Sequence, residues 1–163
     1  MTGRTLLIAF GNPDRQDDGV SWVILKEIAH HYGVTLSSPY DDFYTGLGQP
    51  LDYFFILQLT PELVDLIDQY DRVCFIDAHL GDDLLDIHLQ SLQPNYEPST
   101  LSHHMTPQFL LDIALATHHR APESVLLSVR GYEFAFVNGL SQKTRTLADK
   151  SITDLIQWIE HES

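Results

Sequence analysis

Apolar and polar positions alternate along this 163-residue chain in two periods, that of a strand and that of a helix. Residues 5–10 form an apolar run that stops at Gly11-Asn12-Pro13, the pattern of a buried first strand. Val20, Val23, Ile24 and Ile28 then recur at helical spacing, predicting a helix over about 19–32. Residues 33–37 read as a short second strand, and 38–52, interrupted by Gly and Pro, as a long loop. Phe54-Phe55-Ile56-Leu57 reads as a strand. Thr60-Pro61 supplies a cap and a first-turn proline for a helix whose apolar face is Leu63, Leu66, Ile67 and Tyr70.

The second half repeats the alternation. Residues 72–77 are a buried strand ending at Asp77-Ala78, and 84–89 alternate as a half-exposed strand does. A polar, proline-bearing segment follows at 90–100. Thr106-Pro107 is a second cap-plus-proline start, with Leu110, Leu111, Ile113 and Ala114 leading to about residue 118. Residues 124–130 form the last main strand, with 134–137 as its extension or a loop. A final helix runs from about 141 to 161 with Leu147, Ile152, Leu155, Ile156 and Ile159 inward. Strands separated by helices imply crossovers, hence an α/β fold: a single domain over 1–163, with a mainly parallel twisted sheet and helices on both faces.

Composition narrows the function classes. Hydrophobic residues make up 44% and charged residues 20%, ordinary for a globular protein. No apolar run approaches the roughly 20 residues that span a bilayer. Cys74 is the sole cysteine and lies in an apolar run, where a buried structural thiol is expected. Without disulfides or a signal segment, the expected location is cytoplasmic. Nine Lys and Arg against 23 Asp and Glu give a net charge of −14. Such a surface repels phosphate backbones and anionic membranes, so neither nucleic acid nor membrane is expected as a partner. A cation or a protein with a basic patch fits better.

Three loops carry candidate chemistry. Gly11-Asn12 to Asp17-Asp18-Gly19 joins the first strand to the first helix, at the strand's carboxyl end, where open α/β sheets bind ligands. Two adjacent acids there can divide the work, one capping and one pointing into the crevice. Ile76-Asp77-Ala78 places a carboxylate at the same edge. Ser102-His103-His104 precedes the third helix, again at that edge. Two acids and an imidazole from separate loops make a mixed oxygen and nitrogen set suited to nickel, zinc or another first-row ion. The pairs His30-His31 and His118-His119 fall near helix C-termini, where they favour the helix dipole. The chain lacks HExxH, GxSxG and a Walker phosphate loop, so hydrolysis would use activated water.

Taken together, these segments resemble the hydrogenase maturation proteases. That family has a strand, Gly-Asn, four variable residues, and an acidic pair followed by a small residue, matched by Gly11-Asn12 to Asp17-Asp18-Gly19. Its Asp-Ala strand end matches Asp77-Ala78, its Ser-His element before a helix matches Ser102-His103, and Gln58 to Leu63 looks like members acting on cytosolic hydrogenases. The resemblance covers nearly the whole chain. It implies an endopeptidase that removes the C-terminal extension of a nickel–iron hydrogenase large-subunit precursor after nickel insertion. The nickel is supplied by the precursor and serves recognition. The implied metal-contacting and catalytic residues are Asp18, Asp77 and His103, with Asp17 and His104 as neighbouring alternatives. A monomer that meets its substrate transiently is expected. One departure stands out: the family has Gly where this chain has Ser21. A non-cleaving nickel-site chaperone and a peptidyl-tRNA hydrolase-like enzyme, which shares Gly-Asn-Pro after a strand, are the competing readings.

Overall fold

A computed structural model describes residues 3–40, 43–46, 48–81, 85–95 and 104–161. Six strands, β1 (Thr5–Phe10), β2 (Phe43–Tyr44), β3 (Leu51–Ile56), β4 (Arg72–His79), β5 (Ile87–Leu92) and β6 (Glu123–Arg130), form one sheet in the order β2-β3-β1-β4-β6-β5. The central four, β3, β1, β4 and β6, run parallel. Each edge strand is antiparallel to its neighbour. Among the described residues four helices, α1 (Val20–His31), α2 (Leu63–Ile67), α3 (Pro107–His118) and α4 (Gln142–Glu160), cover the sheet.

The faces are separated by the two-residue period of the strands. Leu7, Ala9, Cys74 and Ile76 pack with Ile24, Leu25 and Ile28 of α1 and Ala148, Leu155 and Ile159 of α4. Leu6, Ile8, Val73 and Phe75 pack instead with Leu63, Val64 and Ile67 of α2 and Leu110, Leu111 and Ala114 of α3. Because β1 and β4 are buried on both faces, they read in sequence as continuous apolar runs rather than alternations. Cys74 lies fully inside, and burial pushes its thiol up to about 12.

Several local expectations are corrected. Residues 33–37 form no strand. The second strand is instead Phe43–Tyr44, and β3 begins at Leu51, so part of the expected loop belongs to the sheet. Thr60-Pro61 makes a turn, with the Leu63 and Val64 amides donating to the Thr60 and Pro61 carbonyls, and α2 starts after it. β5 lies three residues later than expected at each end, over Ile87–Leu92; of the two alternatives for 134–137, the loop is the one found. Two helix starts hold: Thr106 Oγ1 accepts from the Phe109 amide with Pro107 in the first turn, and Ser141 caps α4 through the Thr144 amide.

Among the described residues no helix is long and apolar enough to cross a membrane.

Candidate functional site

Strand order determines where a crevice opens. From β1 the chain passes by α1 to β3 on one side, then returns by α2 to β4 on the other side of β1. The connections leaving β1 and β4 therefore diverge to opposite faces, and a crevice opens between their carboxyl ends, as at the switch points of doubly wound sheets. Asp18 lies on the loop after β1, and Asp77 lies near the end of β4.

The loop after β1 is shaped by its own backbone. Gly11 has φ of +142°, a conformation that L side chains rarely adopt, and a Cβ there would lie 2.4 Å from the Asp18 carbonyl oxygen. Asn12 Oδ1 accepts from the Asp14 amide at 2.9 Å, an Asx turn that carries the chain round. Residues Gln16–Gly19 make a single 3-10 turn that leads directly into α1. Ser21, where a glycine was expected from the resemblance, is fully buried, and its hydroxyl donates to the Phe10 carbonyl at 2.8 Å. The departure therefore adds a tie between the first turn of α1 and the last residue of β1.

The adjacent acids do divide the work. Asp17 is fully buried and accepts five hydrogen bonds, from the amides of Tyr132, Glu133 and Ser141 and the hydroxyls of Ser141 and Thr144, at 2.7–2.9 Å. Burial acts to raise its pKa, but these donors together hold the carboxyl below its ordinary range. Asp17 thus fastens the loop after β1 to the loop after β6 and to the start of α4. It does not cap α1, whose start receives no side-chain cap bond. Asp18 accepts from the Asn12 amide at 2.8 Å and is partly exposed, leaving carboxylate capacity for another group.

Asp77 lies near the end of β4 and is largely withdrawn from water. Its Oδ1 accepts from the Ala78 amide at 2.8 Å. Burial pushes its carboxyl up to about 7; the Ala78 hydrogen bond opposes that rise and the nearby Asp18 charge adds to it. The Asp18 charge acts on Asp77, which places two of the three residues singled out in sequence near one another. The third, His103, lies outside the described residues. His104 is described and exposed. Among the described residues no group of three His, Cys, Asp or Glu side chains is placed to hold a metal ion.

A neighbour not singled out in sequence is His79. It follows Asp77 by two on β4, so both side chains leave the same face of the sheet. Its Nδ1 lies 2.7 Å from Ser128 Oγ, on the β6 residue paired with Asp77. Burial, assisted by the Arg130 charge, holds the imidazole pKa below its usual range. The signal available in sequence was the two-residue spacing, which gains meaning only once 78–79 is known to continue the strand.

No family model matches the sequence, and no curated protein does. Solved structures do. The NiFe hydrogenase maturation protease HybD from Thermococcus kodakarensis aligns over 96% of this chain and 99% of its own, with a TM-score of 0.65 at 18% identity. The hydrogenase maturating endopeptidase HybD from E. coli aligns over 96% and 91%, with a TM-score of 0.69 at 13% identity. HycI, a further maturation protease from Thermococcus kodakarensis, aligns over 98% and 95%, with a TM-score of 0.65 at 13% identity. At these identities the likeness establishes a shared fold.

Proposed function

We propose that this protein is an endopeptidase of hydrogenase maturation, which removes the C-terminal extension of a nickel–iron hydrogenase large-subunit precursor once nickel is in place. The observation that carries the reading is the meeting of Asp18 and Asp77 at the carboxyl crevice of a fold shared with structures named as hydrogenase maturation proteases. The spacing from Gly11-Asn12 to Asp17-Asp18 and the Ser102-His103 element support it from the sequence.

In this reading the nickel ion is part of the substrate. Asp18 approaches it from the loop after β1 and Asp77 from the end of β4, with His103, which precedes α3 in sequence, as the third ligand. Two carboxylates and an imidazole suit a borderline first-row ion and leave positions for the precursor's own ligands. Bringing a cation between Asp18 and Asp77 relieves the repulsion between them and favours the ionised form of Asp77. An empty precursor offers no such gain, so the pair selects for the loaded one. Anchoring the metal also holds the scissile bond against the sheet edge, which supplies the positional part of catalysis. The bond itself yields to water, with the metal polarising the carbonyl or activating the nucleophile.

The test is to mix the purified protein with nickel-loaded large-subunit precursor and follow loss of the C-terminal extension by mass. The wild-type protein cuts, and Asp18→Ala, Asp77→Ala and His103→Ala variants do not. Unimpaired cutting by those three variants overturns the assignment.

A further inference from the structure

Seven large apolar side chains are exposed among the described residues: Tyr40, Tyr44, Leu57, Leu80, Leu85, Phe136 and Val137. Scattered singly, such residues need no explanation. Here six of the seven gather at one end of the molecule. Leu57 directly follows β3, and Leu80 directly follows β4. Leu85 precedes β5, whose first residue Ile87 pairs with Val129 near the carboxyl end of β6. Phe136 and Val137 lie on the loop after β6, which the Gln16 amide holds to the loop after β1 through the Val137 carbonyl at 3.1 Å. Tyr40 reaches the same loop through a hydroxyl bond to Asp14. Only Tyr44 lies elsewhere, bonded to Tyr70.

This is the edge at which Asp18 and Asp77 meet. Phe136 is 82% exposed and Leu80 71% exposed, so neither contributes to the core. The loop that carries Phe136 is nevertheless secured: Asp17 and Gln16 fasten residues 132–137 by bonds to Tyr132, Glu133 and Ala135. Phe136 and Val137, held out into water on this braced loop, form a preorganised part of the contact surface.

We infer that these side chains form a docking rim, and that the partner is a folded protein presenting its metal ion within an apolar surround. The inference rests on the peptidase reading and deepens it. A free metal ion or a short polar peptide would gain nothing from Leu80 or Phe136, whereas a protein surface buries them. An acidic pair at the centre with apolar groups around it complements a cation set in an apolar protein surface. The charge of −14 leaves the rim as the apolar part of a strongly acidic molecule, which disfavours contact with acidic surfaces and favours a partner with basic character.

The experiment compares wild type with a Leu80→Ser/Phe136→Ser double variant on nickel-loaded precursor, with thermal unfolding as the fold check. Because both side chains are exposed, the melting temperature is unchanged. KM rises roughly tenfold while kcat stays within about twofold, the signature of lost docking contacts with intact chemistry. An unchanged KM overturns the rim while leaving the peptidase reading standing. A short peptide spanning the cleavage site, processed by wild type with the same KM as the whole precursor, overturns the rim as well. Failure of wild type to cut the loaded precursor overturns the peptidase reading, and the identity of the partner with it.

Discussion

Asp17 and Ser141, 124 positions apart, are joined by two hydrogen bonds of 2.7 Å, one from the Ser141 amide and one from its hydroxyl. Since Ser141 caps α4, the buried carboxylate links the start of that helix to the loop that carries Asp18. Asp17→Ala leaves four donors without their acceptor, the Thr144 hydroxyl keeping the Arg130 carbonyl, and costs about 3 kcal/mol or more, read by urea unfolding at pH 7. The pH dependence follows from the depressed pKa. The folded carboxyl titrates below its unfolded value of 3.8, so its stabilisation is present above pH 3.8 and is lost as pH falls through the folded pKa. Wild type therefore gives up this contribution in strong acid, and the Ala variant has none to lose.

Asp77 carries the opposite dependence. Its folded pKa is raised from 3.8 to about 7, so the unfolded state releases this proton first as pH rises. Between about pH 4 and 7 the folded state therefore holds more protons at this site, and stability falls with rising pH. Asp77→Asn removes the titration while keeping the shape. The difference in unfolding free energy between variant and wild type is small at pH 4 and grows to favour the variant by pH 8, by about 1–3 kcal/mol. The same variant loses precursor cleavage. A residue that destabilises the free protein and is required with substrate is a site residue rather than a structural one. Urea titrations at pH 4, 6 and 8 decide it, and a variant less stable than wild type at pH 8 refutes it.

The two acids also mark the limit of what the sequence discloses. Their adjacency at a helix start suggests that one caps and the other faces the crevice, but Asp17 caps no helix. What Asp17 holds does not follow from it, because its partners Tyr132, Glu133, Ser141 and Thr144 come from beyond β6 and no local pattern connects them. β1 and β4 were legible because burial on both faces gives continuous apolar runs. β2 escaped notice because a two-residue edge strand, paired only with β3, leaves no periodicity. β5 was misplaced because its alternation starts beyond the Leu84-Leu85 pair. That Asp77 falls near the carboxyl end of its strand was legible from the apolar run before it, although β4 continues to His79. His79 was not, since its hydrogen bond to Ser128 depends on the pairing of β4 with β6.

Ser21 offers a test of how far the resemblance guides the helix start. Its hydroxyl spans from α1 to the Phe10 carbonyl at 2.8 Å, so Ser21→Ala removes a buried bond and costs about 1 kcal/mol. Ser21→Gly restores the residue seen in the resembling family but adds the backbone entropy of glycine in a helix, about another 1 kcal/mol. Both variants retain precursor cleavage within severalfold, because neither touches Asp18 or Asp77. The check is paired thermal melts and cleavage rates. Abolished cleavage by a folded Ser21→Gly protein contradicts it.

Gly11 is the position where backbone and site are most tightly coupled. At φ of +142° an alanine is strained, and its Cβ would lie 2.4 Å from the Asp18 carbonyl oxygen, so the loop must shift. The displaced backbone carries the Asp18 side chain with it and breaks its 2.8 Å bond from the Asn12 amide. Gly11→Ala costs about 2–3 kcal/mol and lowers cleavage at least roughly tenfold. Gly33, at the end of α1, separates conformation from position: its φ is +80°, and a Cβ added there would meet nothing within 4 Å. Gly33→Ala therefore bears only the left-handed penalty of about 1 kcal/mol, with cleavage unchanged. Equal losses of cleavage in the two variants at matched stability would show that Gly11 acts through general destabilisation and not through the placement of Asp18.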